Sequence, residues 1–133
     1  MKPLPEIKNI ISSACSEYPA VMAAFIFGSL AKGNKEHPKD IDVAVLLDYK
    51  ESDVFPLLTF ISDLEESLQY PTDVVVLNRA PELLKYHVRR DGILIFDRCP
   101  EFRKKFEIRS RKSYEDFLYL HSRYVKKVLY GEN

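Results

Sequence analysis

The sequence lacks the features that would place it in a membrane, secreted or disulfide-stabilised class. No apolar run approaches the ~20 residues that a membrane-spanning helix needs. The first ten residues, MKPLPEIKNI, lack the basic-then-apolar pattern of a signal peptide. Two cysteines, Cys15 and Cys99, have neither the number nor the spacing of a disulfide framework or a zinc site. We therefore expect a cytoplasmic protein with ordinary thiols and no membrane partner.

The chain also has no internal repeat, low-complexity stretch or Gly/Ser-rich linker that would divide it. Its 133 residues, 46% of them hydrophobic and 30% charged, fit one domain spanning residues 1–133. The 20 basic and 20 acidic side chains balance, but residues 1–84 carry 7 basic and 13 acidic ones, whereas residues 85–133 carry 13 and 7. Such a split can reflect a solvated helix face, but it also suits a protein that holds cations in one half and meets anions with the other.

Hydrophobic periodicity predicts alternating helices and strands. The predicted strands are residues 21–27, 41–47, 72–78 and 93–96. The predicted helices are residues 5–18, 53–69, 81–91 and a terminal segment of about 99–130 that packs on the sheet. About ten residues join the first two strands, so these should be antiparallel, whereas a helix joins the second and third, which permits a parallel crossover. The expected α/β (α+β) architecture is a mixed sheet of about four strands flanked by helices.

One segment stands apart from this scaffold: Gly28 and Ser29, ten intervening residues, then Asp40-Ile41-Asp42 at the head of an apolar strand. Side chains alternate along a strand, so Asp40 and Asp42 project on the same side. Two like charges so placed repel each other, and a divalent cation resolves the conflict. Hard oxygen ligands point to magnesium or manganese.

A third carboxylate, Asp73, also stands just ahead of a Val-rich strand. The predicted topology puts the exit of the first strand and the entrances of the second and third at one end of the sheet. Gly28 would allow close backbone approach, and Ser29 with the amides after it could cradle phosphate oxygens. Lys32 could add a positive charge, and Gly33 could end the turn. Phosphate cradle and carboxylates together indicate metal-assisted nucleotidyl transfer.

Other catalytic patterns find no support in the sequence. The three histidines, His37, His87 and His121, have no ligand spacing among themselves. No Ser/His/Asp or Cys/His nucleophilic arrangement can be argued. The terminal segment carries a basic face, for which a solvated helix surface, an acidic docking partner and RNA are the alternatives.

The pattern G-S, ten residues, D-x-D, with GSLAKG and a later strand carrying Asp73, resembles the minimal nucleotidyltransferases of the DNA polymerase β superfamily. The VVVLN strand, PELLKYHVRRDGILIF and the basic terminal helix are also similar to the MNT-type antitoxins of HEPN/MNT toxin–antitoxin pairs, the MntA group. The family often has Ser or Thr immediately before the first aspartate, where this chain has Lys39. We expect the Lys39 side chain to point away from the face that holds Asp40.

The resemblance implies an adenylyltransferase antitoxin that transfers AMP from ATP to a tyrosine of a HEPN ribonuclease toxin. It implies a site with two Mg²⁺ ions, or Mn²⁺, on Asp40, Asp42 and Asp73. Gly28 and Ser29 form the triphosphate-binding pair, which Lys32 and Gly33 would extend. Alternatives are a catalytically silent antitoxin that occludes its partner through the terminal helix, and direct RNA binding by that helix, which we disfavour. A homo-oligomer remains open.

Overall fold

The computed structural model describes residues 1–33 and 38–131, and His37 lies outside them. Within these described residues, four helices and four strands follow the order α-β-β-α-β-α-β-α along the chain. The strands are β1 (Val21–Phe27), β2 (Ile41–Leu47), β3 (Thr72–Val76) and β4 (Ile93–Asp97). The helices are α1 (Leu4–Ser16), α2 (Leu57–Leu68), α3 (Glu82–Asp91) and α4 (Pro100–Tyr130), with one 3-10 turn at Leu77–Arg79.

The four strands form one mixed sheet in the order β3-β2-β1-β4. β1 is antiparallel to both β2 and β4, while β3 is parallel to β2. The predicted antiparallel and parallel pairings are thus confirmed, because the short connection and the helical crossover leave the chain no other simple route. As a result, the end of β1 and the starts of β2 and β3 share one end of the sheet.

Helices cover the sheet unequally on its two faces. Alternate residues of β2, including Val43 and Val45, join the larger core cluster with Ile7 and Ile11 of α1 and Phe60 of α2. The intervening residues of the sheet face α3 and α4 in a smaller cluster, which contains Ala44, Leu46, Phe25 and Val88. Asp42 and Asp73 occupy the same strand phase as this second set, so they lie on the less covered face.

Several boundaries differ by one to four residues from the sequence prediction, and the first helix ends at Ser16, two residues early. Two of the differences have a clear physical reason. The second helix begins at Leu57 rather than at residue 53, because Pro56 stands at its N-cap and the preceding residues form turns. The third strand ends at Val76, two residues early. There the side chain of Asn78 takes over the pairing with β2, since its Oδ1 accepts from Leu47 N at 2.9 Å and its Nδ2 donates to Leu47 O at 2.8 Å.

The terminal helix packs on the sheet only in its first half, which corrects the expectation for residues 99–130. A helix of 31 residues is about 46 Å long, whereas a seven-residue strand spans about 23 Å. Phe102 and Phe106 pack against the smaller core cluster, while residues 115–130 are almost all exposed. Within the described residues, no helix combines the length and apolar character needed to cross a bilayer.

Candidate active site

The carboxylates of the predicted site stand at the entrances of two neighbouring parallel strands. Asp42 of β2 is in register with Asp73 of β3, so their side chains project from one face on strands about 4.8 Å apart. Asp40 lies two residues before Asp42, at the bend that leads into β2. Asp40 and Asp42 are half-buried, and Asp73 is exposed. The strand pairing therefore places the three carboxylates at the same end of the sheet.

Asp42 bears the electrostatic cost of this arrangement. Its pKa is raised above the usual value, first by burial and then by the negative charges of Asp73 and Asp40. Asp42 thus feels the charges of the two other aspartates, although within residues 1–33 and 38–131 no three His, Cys, Asp or Glu side chains converge into a ready-made metal cage. Mutually repelling carboxylate oxygens at a half-open position fit a hard divalent cation, which would draw them together.

Two observations explain why a glycine stands at position 28, directly after β1. Its φ of +73° lies in the left-handed region that favours glycine. A Cβ placed there would stand only 2.4 Å from Asp42 Oδ2. Since Phe27 is paired with Asp42 across the sheet, the backbone of Gly28 is held directly against the carboxylate. The glycine therefore makes room for the central side chain of the site.

The segment from Gly28 to Gly33 forms a single tight turn. Lys32 N donates to Gly28 O at 3.2 Å, and Gly33 N donates to Leu30 O at 3.3 Å. Leu30 and Ala31 pack against the larger core cluster, whereas Ser29, Lys32 and Gly33 are exposed. The turn is thereby anchored through its apolar residues and presents the residues predicted to meet phosphate to solvent.

Lys32 also has an acidic neighbour that the sequence did not single out. The pKa of Asp91 is lowered first by a hydrogen bond from Arg90, and the charge of Lys32 lowers it further. Asp91 closes α3 at the same end of the sheet, and its Oδ2 is screened from solvent without a hydrogen-bond partner among the described residues. The sequence offered no signal for this proximity, because an aspartate before glycine is ordinary at the end of a helix.

Residues 9–101 match the family described as polymerase beta, nucleotidyltransferase. The matched segment contains the turn at Gly28 and all three aspartates, and it covers more than half of the chain. The chain therefore belongs to the polymerase β nucleotidyltransferase family, and its assignment as a nucleotidyltransferase is confirmed.

Matches to individual proteins are more specific than the match to the family. The protein adenylyltransferase MntA of Aphanizomenon flos-aquae (strain 2012/KM1/D3) is 25% identical over 115 residues, which cover 80% of this chain and 77% of that protein. A chain in a crystal structure of a toxin–antitoxin with AMP-PNP matches with a TM-score of 0.74 at 20% identity, covering 92% of this chain and 98% of that one.

A second solved structure gives the same result. It contains a tri-AMPylated Shewanella oneidensis HEPN toxin in complex with an MNT antitoxin, and it matches with a TM-score of 0.68 at 20% identity, covering 92% of this chain and 96% of that one. At this identity the two structures support the fold alone. The predicted nucleotidyltransferase fold and the resemblance to MNT-type proteins are confirmed.

Proposed function

We propose that this protein is a metal-dependent adenylyltransferase antitoxin, which transfers AMP from ATP to a tyrosine hydroxyl of a HEPN-type toxin. The observation that carries the proposal is the register of Asp42 with Asp73, with Asp40 beside them and the Gly28 turn against Asp42. The names of the relatives support the substrate and partner classes. One is a protein adenylyltransferase, and others come from toxin–antitoxin structures with AMP-PNP or with a tri-AMPylated HEPN toxin.

In this proposal Asp40, Asp42 and Asp73 hold Mg²⁺, as two ions, with Mn²⁺ as an alternative. The raised pKa of Asp42 supports this assignment, because the carboxylates repel one another and gain most from a cation. A bound divalent cation would neutralise phosphate charge and stabilise the leaving pyrophosphate. The three aspartates supply hard oxygen donors. The pairing of β2 with β3 fixes the position of Asp42 relative to Asp73.

The turn at residues 28–33 binds the triphosphate. Gly28 brings the backbone close without a side chain, and Ser29 presents its hydroxyl and amide at the exposed side of the turn. Lys32 adds a positive charge, which also helps to lower the pKa of Asp91, and Gly33 ends the turn with a φ of +71°. Phosphate and metal ligands would therefore face each other across the end of β1.

The transfer forms a bond between the acceptor oxygen and the α-phosphorus of ATP. It breaks the bond from that phosphorus to the bridging oxygen, and pyrophosphate leaves. The hydroxyl proton passes to a base, and Asp73 is the exposed carboxylate of the three. We assign Asp73, in addition to its contact with the metal, the role of accepting this proton or orienting the hydroxyl, while the less accessible Asp42 serves only as a ligand.

The test is the intact mass of a HEPN-type protein co-expressed with this chain, after incubation with ATP and Mg²⁺. The expected result is a gain of one or more AMP units with the unmodified chain. The Asp40→Asn/Asp42→Asn variant should give none. Asp53→Asn removes an exposed carboxylate away from the site and serves as the matched control, which should label normally.

Two outcomes would contradict the proposal. Labelling that survives Asp40→Asn/Asp42→Asn would remove these residues from the reaction. A stable complex that neutralises the toxin with no change of mass would instead favour the alternative of a silent antitoxin that acts by occlusion.

A further inference from the structure

Asp40 lies just outside the strand pairing that holds the other two carboxylates of the site. Asp42 and Asp73 are in register in the ladder between β2 and β3. Among the described residues, both ladders of β2 begin after Asp40, at Ile41 on the side of β3 and at Asp42 on the side of β1. Asp40 itself lies in a bend of the chain. Another contact therefore has to hold its carboxylate near the other two if all three are to share a cation.

Two hydrogen bonds tie the chain on either side of Asp40 to the short segment between α2 and β3. On one side, Ile41 N donates to Pro71 O at 2.9 Å. On the other side, the hydroxyl of Tyr70 donates to Pro38 O. The two attached groups are three residues apart, and Asp40 lies between them. The approach to β2 is therefore attached, on both sides of the aspartate, to the residues that lead directly into β3.

The contact between Tyr70 and Pro38 is part of the packed interior. Pro38 is buried and Tyr70 is half-buried, and the ring of Tyr70 packs against the larger core cluster. A carbonyl in such surroundings needs a donor from the protein, because burial removes the water that would otherwise bind it. The Tyr70 hydroxyl supplies this donor. Its removal would release one of the two attachments that flank Asp40.

Tyr70 is itself held by an unusual turn at the end of α2. Gln69 has a φ of +53°, the only positive φ among the non-glycine residues that the structure describes. Its backbone N–H donates to Glu65 O at 2.8 Å, and its Nε2 donates to Glu66 O at 2.6 Å. On the other side of the turn, Thr72 Oγ1 donates to Tyr70 O at 3.1 Å. A left-handed conformation is unfavourable for a residue with a Cβ and persists only where the surroundings fix it. The backbone that carries Tyr70 is thus fixed on both sides.

We propose that Tyr70 is a positioning residue, which holds Asp40 where it can share a divalent cation with Asp42 and Asp73. The inference rests on the proposed function, since it takes these aspartates as the metal ligands. Tyr70 contacts neither metal nor nucleotide in this scheme, and it acts through the backbone at Pro38. A carboxylate that is held in place before the cation arrives binds it more tightly, because less conformational freedom is lost on binding.

The first experiment measures Mn²⁺ binding in the presence of AMP-PNP by electron paramagnetic resonance, with two variants that each remove one hydroxyl. Tyr70→Phe should weaken Mn²⁺ binding about three- to ten-fold, as loss of a contact that orients a ligand does. Tyr18→Phe is the matched control. Tyr18 also packs against the larger core cluster, but it precedes β1 at the opposite end of the sheet, and its hydroxyl donates to Asp63.

Tyr18→Phe should bind Mn²⁺ as tightly as the unmodified chain, and circular dichroism should show that both variants are folded. Unchanged Mn²⁺ binding in Tyr70→Phe, or an equal loss in Tyr18→Phe, would overturn the proposal.

A second readout needs neither metal nor nucleotide. Amide hydrogen exchange, followed by nuclear magnetic resonance, should be faster at Ile41 in Tyr70→Phe, because the approach to β2 has lost one of its two attachments. Exchange at Val45, in the middle of β2, should stay the same. Equal exchange at Ile41 in Tyr70→Phe and in the unmodified chain would show that the hydroxyl does not fix this segment, and would overturn the proposal.

Asp42→Asn, measured beside Tyr70→Phe, separates failure of this inference from failure of the proposed function. If Asp42→Asn weakens Mn²⁺ binding while Tyr70→Phe leaves it unchanged, the metal site stands and the role of Tyr70 is wrong. If Asp42→Asn leaves Mn²⁺ binding unchanged, the aspartates do not hold the metal, and the proposed site and the role of Tyr70 are both overturned.

Discussion

The entrance of β2 and the last turns of α4, residues 117–130, differ in opposite ways from the usual burial of apolar and exposure of charged side chains. At the entrance, on a partly covered face of the sheet, the carboxylate of Asp42 is held where the charges of Asp73 and Asp40 raise its pKa. On residues 117–130 of α4, apolar side chains such as Leu129, which is 69% exposed, lie in solvent. The first is fixed by backbone pairing and by Gly28, and the second is fixed by little within the chain. Both are places where sequence pattern and folding stability disagree, as expected of functional surfaces.

The largest expected effect is the loss of activity when a carboxylate at the entrance of β2 is removed. Asp42→Asn should lower the rate of AMP transfer by at least about 1,000-fold, because it removes a charged ligand where phosphate charge must be stabilised. The initial rate with radiolabelled ATP provides the measurement. Asp53→Asn should stay within about two-fold of the unmodified rate, since exposed carboxylates away from a site contribute little. Equal losses in the two variants would break the comparison.

The second prediction compares the free energy of unfolding lost when a buried leucine and an exposed leucine of α4 are shortened. Leu64→Ala in α2, where Leu64 is fully buried, should lower the free energy of unfolding by about 2–5 kcal/mol through lost packing and a cavity. Leu118→Ala should change it by about 0.5 kcal/mol or less. Urea unfolding at low protein concentration provides the measurement. A large loss at Leu118 under these conditions would mean that the segment packs on its own domain.

The third effect compares the two glycines of the turn. Gly28→Ala should lower the free energy of unfolding by more than the about 1–2 kcal/mol of left-handed strain, because the new Cβ meets Asp42 Oδ2 at 2.4 Å. Gly33→Ala, with no atom within 4 Å of its Cβ, should cost only the strain. Thermal unfolding of both variants checks this order. Equal costs would show that Asp42 moves aside freely.

The smallest effect is a gain in stability. The pKa of Asp42 is raised in the folded chain, so ionisation of Asp42 disfavours the folded state as pH rises through its ordinary value of about 3.9 and beyond. Asp42→Asn should therefore raise the free energy of unfolding at neutral pH by a small amount, because solvent screens much of the repulsion at this half-open position. Saturating Mg²⁺ should reduce or reverse the difference. A destabilised Asp42→Asn at neutral pH without metal would contradict the assigned repulsion.

Much of the scaffold was predictable because its signals are local or depend on connection length. The apolar runs at residues 21–27 and 41–47 are strands with the predicted bounds, and the connection between them, residues 28–40, is too short and polar for a helical crossover, which favoured an antiparallel pair. The order in which β4 joins β1 was not predicted. It depends on packing of α3 and α4, which no short segment encodes.

The candidate site was predictable in position but not in detail. Alternation along a strand and the parallel crossover together place Asp40, Asp42 and Asp73 at one end of the sheet. The contact of Gly28 with Asp42 depends on the cross-strand pairing of Phe27 with Asp42. The effect of Lys32 on the pKa of Asp91 depends on where α3 packs. The exposure of residues 115–130 was missed because an apolar stripe has the same pattern whether it meets its own sheet or another chain.

The most direct test of the site measures Mn²⁺ binding in the presence of AMP-PNP by electron paramagnetic resonance, without any acceptor protein. The unmodified chain and Asp53→Asn should bind Mn²⁺ with the nucleotide equally well, and Asp42→Asn should bind it at least about ten-fold more weakly. Unchanged Mn²⁺ affinity in Asp42→Asn would contradict the claim that the aspartates at the entrances of β2 and β3 hold the metal and nucleotide.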